Sequence, residues 1–434
     1  MNVAAYPKYD SYIESNVGWI KEVPAAWRVL RIQDFATFNN DVVNESDYRT
    51  RRIKYVDISG VDSSSNTYSY EEQDFTAAPS RARRLAICGD TVFSTVRPYL
   101  KAVATIEGPE DDLVFSTGFA VIRPKRNVDP RFVGYMLRNE RFVNEVTANS
   151  VGASYPAINA TDLVKLHTPL PPLPEQRAIA AFLDVKCATI DEAVWIREAQ
   201  IKLLRERRQI LIQQAVTRGL NPDAPMKDSG IDWIGEIPAH WESVPLKRLF
   251  TERNERTKTG QETLLSLRMV EGLVPHDDVS DKLISDEALV NYKKVYPGQM
   301  VMNRMRASIG LFGVVDQLGL VSPDYAVFDM QSDVFGPFYL YLFKMEEVGA
   351  RFRLSSKGLG TGSSGFMRLY TDDFGAISVP VPPFEEQQEI VSYIGETSKK
   401  LNEAISLKQS QIDRFKEYKT TLINAAVTGK IKVS

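Results

Sequence analysis

The sequence predicts a duplicated protein. Two mixed α/β (α+β) globular domains are joined by two long, antiparallel, coiled-coil-like helices and related by a pseudo-two-fold axis. Three observations carry this prediction. Motifs recur in the same order at a nearly constant offset, each copy opens with a region punctuated by Gly, Pro and Asp, and each closes on a Pro-Pro segment followed by a long helical repeat of apolar residues.

The duplication is read directly. Trp19, Pro24 and Trp27 in the run 19–27 are echoed by Trp233, Pro238 and Trp241 in the run 233–241, an offset of 214. Residues 89–97 match 298–306 at offset 209, and 115–121 match 321–327 at 206. Pro171, Pro172, Glu175 and Gln176 pair with Pro382, Pro383, Glu386 and Gln387, and Ala215-Val216-Thr217 with Ala426-Val427-Thr428, both at 211. Small insertions move the offset, but chance does not keep the order. The expected segmentation is a first globular domain over 1–168, a long helix over 169–219, a linker and second globular domain over 220–379, and a second long helix over 380–434.

In each globular region short β-rich runs (91–96, 119–122, 300–303, 325–330) alternate with helical stretches at 130–145 and 337–352. The prolines then end the sheet pattern, since proline donates nothing to a ladder, and Glu-Gln follows where a helix's first turn favours a carboxylate. From there a 4-3 seam runs through Leu183, Cys187, Ile190, Val194, Arg197, Ile201, Leu204, Arg208, Leu211 and Ala215. Its copy runs through Ile394, Ser398, Leu401, Ile405, Lys408, Ile412, Phe415, Lys419, Leu422 and Ala426. Both seams carry a base at the same two steps. A narrow apolar stripe needs a partner, and the other copy supplies one. Residues 175–218 would span about 66 Å at 1.5 Å per residue and hold the domains apart. Burial against the helix's own domain competes for each first turn.

Composition narrows function. The 434 residues are 43% apolar and 25% charged, with net charge −3, so the chain is not held to nucleic acid by bulk charge, although local basic patches remain open. The N-terminal run lacks a secretory pattern, and two cysteines make no disulfide framework, which together predict a cytoplasmic protein. The three histidines and two cysteines lack metal-ligand spacing.

Catalytic motifs are missing. Val381-Pro382-Pro383-Phe384 has valine where the Asp/Asn-Pro-Pro-Tyr/Phe loop of amino-methyltransferases needs an acceptor for the target amine, and Leu170-Pro171-Pro172-Leu173 offers neither group. The glycine-rich run 358–365 has no Lys-Ser/Thr to make a phosphate loop. No catalytic residue, metal site or cofactor is therefore expected in this chain. The candidate DNA contacts are Arg81, Arg83, Arg84, Arg97 and Lys101 in the first domain and Arg304 and Arg306 in the second, with the small polar loops at Ser154-Tyr155 and at Gly362, Ser363 and Ser364. Arg97 and Arg306 stand out because they occupy matched positions just after a strand, where a guanidinium reaches base edges or phosphates. Solvated charge is the plainer reading for most of the others.

The double Pro-Pro-x-x-Glu-Gln helix start, the Ala-Val-Thr helix end, the Trp-x-x-x-x-Pro-x-x-Trp opening of each half and the linker Gly219-Leu220-Asn221-Pro222 together resemble the specificity (S) subunit of Type I restriction-modification systems. The resemblance covers essentially the whole chain. It implies two target recognition domains, each reading one half of a bipartite asymmetric site in double-stranded DNA, with helices that set the spacing and dock two adenine-methylating modification subunits. Motor-nuclease restriction subunits would join for cleavage, and S-adenosylmethionine, ATP and Mg²⁺ would belong to those partners. The globular domains vary so widely in that family that no base contact carries over residue by residue. A duplicated coiled-coil scaffold without DNA recognition, or an enzyme with an unrecognised site, remains compatible with the residues alone; salt-dependent, sequence-selective DNA binding separates the first reading from both.

Overall fold

Runs of β-branched and aromatic residues build the same four-stranded sheet twice. The computed structural model describes residues 3–63, 65–108, 111–152, 154–281, 284–359 and 366–433. In the first half the strands Val103–Thr105, Thr91–Ser94, Phe119–Pro124 and Ala36–Phe38 lie side by side in that order; in the second, Phe312–Val314, Met300–Asn303, Tyr325–Met330 and Phe250–Arg253 do. Every neighbouring pair is antiparallel, and the register repeats, with Val92 opposite Val121 and Val301 opposite Val327.

Alternation along the central strand assigns its two faces. Met300 and Met302 enter a core with the helical residues Phe338, Leu342 and Phe352, whereas Val301 packs with Leu265, Leu273 and Val321 on the opposite face. A strand covered on both sides reads as a continuous apolar run, which is how 300–302 appears. The second β layer is where the halves diverge. In the first half it is a four-stranded sheet of Glu71–Asp74, Arg52–Val56, Leu113–Ser116 and Ala82–Leu85. In the second it is two separate pairs, Leu265–Arg268 with Gly272–Pro275 and Lys293–Val295 with Gly319–Val321, linked by a bridge from Leu264 to Leu320.

The helical stretches need a correction, because each is two helices. Pro130–Leu137 and Glu140–Ala148 are separated at Asn139, whose side-chain oxygen accepts hydrogen bonds from the Arg141 and Phe142 amides and so restarts the helix. Gly336–Phe343 and Glu346–Ser355 break at Met345, which is extended at φ −67° and ψ 144°.

Two units divide the chain, residues 1–200 with 407–434 and residues 201–406, so each long helix contributes to both. The helices themselves run unbroken over Leu173–Arg218 and Phe384–Val427, starting two residues before the expected Glu. Every seam position on both is buried or half-buried. Within the first unit the helices are antiparallel, since Asp191 meets Lys419 at 2.7 Å and Arg197 donates to Gln411 at 3.0 Å. Within the second unit Arg208 donates to Asn402 at 2.6 Å. Three of the four seam bases thus have polar partners on the opposite helix, an arrangement that favours one register over its neighbours. Own-domain burial also contributes: Ile390 and Ile394 join the second domain's core together with Ala215 and Val216.

Candidate nucleic-acid interface

Each domain is fastened to the first turn of its long helix by the two residues that recur as Glu-Gln. The Glu175 carboxylate accepts from the Trp27 indole at 3.0 Å and from the Tyr9 hydroxyl, and Glu386 accepts from the Trp241 indole at 3.0 Å and pairs with His240 at 2.8 Å. Burial and the Glu175 carboxylate both push the Tyr9 hydroxyl well above its ordinary range, so Tyr9 stays a donor. The neighbouring glutamines are buried. Gln176 accepts from the Asp129 amide and donates to the Pro171 carbonyl; Gln387 accepts from the Phe335 amide and donates to the Asp333 and Pro382 carbonyls. Sequence reasoning assigned this Glu only to the helix dipole and missed its tryptophan. The signal was present, because both residues recur in both halves.

Fixed this way, each domain presents a matched pair of loops. After strand Thr91–Ser94 comes a 3₁₀ turn, Pro98–Leu100, and after Met300–Asn303 comes Ala307–Ile309. Both turns end in the left-handed region, at Lys101 (φ 56°) and Gly310 (φ 76°). The turn loop is tied to the loop preceding the helix start, through Arg97 N–H to the Pro156 carbonyl at 2.7 Å in one domain and Leu369 N–H to the Arg304 carbonyl at 2.9 Å in the other.

The predicted contact residues separate into groups. The Arg97 guanidinium lies 4.2 Å from the ring centroid of Tyr155, which is 66% exposed, and exposed Ser154 adjoins it. Such a cation on an aromatic face presents a flat, positively charged platform. Arg306 is exposed and has no ion-pair partner among the described residues. Lys101 pairs with Glu140 at 2.5 Å, Arg83 with Glu45 at 2.7 Å, and Arg81 with Asp57 at 2.7 Å while also donating to the Tyr55 hydroxyl. Arg84 is half-buried with its Nε unpartnered, and burial lowers its pKa.

Arg304 is turned inward. Its side chain is 15% exposed and bonds Glu252 at 2.7 Å, in a cluster with Lys293 and Thr371. Burial raises the Glu252 pKa, but the Thr371 hydroxyl, Arg304 and Lys293 outweigh it and hold the carboxyl below its usual range. Arg304 therefore holds the second domain together rather than lying open to a ligand. Gly362, Ser363 and Ser364 lie outside the described residues. Among the described residues no three His, Cys, Asp or Glu side chains gather to hold a metal, and no helix is long and apolar enough to cross a membrane.

A repeated α/β domain, twice mounted on the start of a long helix and twice offering an Arg-bearing loop pair, defines a duplicated recognition protein. Residues 24–193 and 239–413 match the model of the type I restriction modification DNA specificity domain, and the chain belongs to that family of specificity subunits. One curated relative matches it almost end to end and another over two thirds of its length. The MjaX specificity subunit of Methanocaldococcus jannaschii is 24% identical over 98% of both chains, and the EcoKI specificity subunit of Escherichia coli is 23% identical over 67% of this chain and 65% of its own. Two solved structures share the fold. A chain from a study of complex assembly and conformational transition in a type I R-M system has a TM-score of 0.70 at 23% identity, covering 94% of this chain and 99% of that one. The HsdS subunit from Thermoanaerobacter tengcongensis has a TM-score of 0.56 at 22% identity, covering 94% and 98%.

Proposed function

We propose that each domain reads one half of a bipartite, asymmetric site in double-stranded DNA, and that the long helices set the spacing and dock two modification subunits. The observation that carries this is the pairing of an identical core sheet with a divergent second β layer. A common scaffold gives both domains the same mounting and the same loop pair, while the divergent layer gives them different surfaces, as two unlike half-sites demand. Arg97 on Tyr155 and the open Arg306 are the leading contacts. The chain itself transfers no methyl group and cuts no DNA; S-adenosylmethionine, ATP and Mg²⁺ serve the modification and restriction subunits. A net charge of −3 makes DNA binding by the chain alone modest, so assembly strengthens it.

The test maps methylated adenines in a cell that carries the chain with its modification partner. Two short specified segments at fixed separation are expected. Methylation without sequence preference, or at one uninterrupted segment, would refute the reading.

A further inference from the structure

Leu100 and Ile309 are the last residues of the two matched 3₁₀ turns and stand at the same step of the repeat, 209 apart. They are 56% and 49% exposed. A single exposed aliphatic residue calls for no explanation. Here the turns read Arg-Pro-Tyr-Leu-Lys and Arg-Ala-Ser-Ile-Gly, so that of five positions only the arginine and the outward aliphatic side chain survive divergence.

The backbone around each tip is over-determined. Leu100 N–H bonds the Arg97 carbonyl and Lys101 N–H the Pro98 carbonyl; Ile309 N–H bonds the Arg306 carbonyl and Gly310 N–H the Ala307 carbonyl. In the first domain Arg97 (φ 49°) and Lys101 (φ 56°) both take the left-handed conformation without being glycine, a strain that persists only where the surroundings enforce it. In the second, Gly310 is needed, because a Cβ there would lie 2.9 Å from Lys344 Cγ. Each tip is thus rigid, apolar, and adjoined by an arginine with no acidic partner among the described residues.

We propose that Leu100 and Ile309 are wedges, each inserted at a base step of its half-site so that the duplex unstacks and bends there. This rests on the DNA-reading function proposed above. Duplex DNA is favoured over a protein groove because the flanking arginine suits phosphates, and because a side chain that holds two base pairs apart must sit on a backbone that does not yield.

The experiment uses the full chain with its modification partner and a duplex carrying the site that this complex selects from a randomised pool. 2-Aminopurine is placed at one base step after another, with the methylatable adenines left unlabelled. A fluorescence rise is expected at one step in each half-site. Leu100→Ala should remove one rise and Ile309→Ala the other, each leaving the opposite half-site unaffected. Selective binding with no rise, or rises unchanged in both variants, would overturn the wedge while leaving sequence reading intact. Loss of the modification partner from either variant would overturn it in favour of a protein contact. Selection of no site at all would remove the DNA-reading function, and the wedge with it.

Discussion

Glu386→Ala removes the acceptor that ties the second domain to its helix. Trp241 is fully buried, so its indole N–H, 3.0 Å from the carboxylate, loses its partner where water does not replace it. An unsatisfied buried donor costs about 1–3 kcal/mol. The half-exposed His240 pair adds at most ~1 kcal/mol, and loss of a first-turn carboxylate ~0.3–1 kcal/mol. Together these make about 1.3–5 kcal/mol, against ~1 kcal/mol or less for Glu386→Gln, which keeps an acceptor. Trp241→Phe removes the donor instead, so the double variant Trp241→Phe, Glu386→Ala should cost less than its two singles added together. Urea unfolding of the full chain, read by native-state hydrogen exchange at residues 201–406, separates this loss from the rest of the molecule. A Glu386→Ala variant within ~0.5 kcal/mol of the parent, or strictly additive singles, would refute the account of the anchor.

Replacing residues 28–168 with the corresponding domain of another specificity subunit should change one half-site only, which methylation mapping reads directly. Arg97→Ala should relax one position of one half-site at a cost of about 1–3 kcal/mol if it contacts a base, or weaken all sequences alike and flatten the salt dependence if it contacts phosphate; Arg306→Ala should do the same in the other half. The depressed Glu252 carboxyl contributes stability that is present above its unfolded pKa of about 4.3 and is lost as pH falls through the lower folded value, so Glu252→Gln should flatten the acid limb of a stability-pH curve. Inserting seven residues of matching pattern into both long helices should lengthen the preferred spacer by about three base pairs, since seven residues rise about 10 Å against 3.4 Å per base pair, with the half-sites unchanged on site selection.

The duplication and both long helices were legible because periodicity and spacing are properties of neighbouring residues. Leu183 to Ala215 can be stepped through on paper, and the structure buries or half-buries each step. The Trp27–Glu175 bond was not legible, since it joins residues 148 apart and each already had a sufficient local reason to be where it is. Asn139 was passed over inside a helical stretch because a capping side chain and an interior one look alike until the backbone turns. Arg304 and Arg306 are two residues apart after one strand, and nothing in composition distinguishes them. Glu252, brought from the strand Phe250–Arg253 two places across the sheet, claims the first and leaves the second open. The second β layer could not be foreseen by analogy between halves, because there the repeat fails.

The buried glutamine and the first seam residue are seven residues apart in both copies, Gln176 to Leu183 and Gln387 to Ile394. Seven residues fall only about 20° short of two full turns, so the side of the helix that grips its domain is also the side that carries the seam. The domain's heading is therefore a phase angle, stored in the count of residues between two buried side chains. One residue added between Gln176 and Leu183 would rotate everything after it by about 100° around the helix axis, carrying the seam out of phase and Asp184 away from Arg131 and Tyr135, each of which donates to it at 2.9 Å.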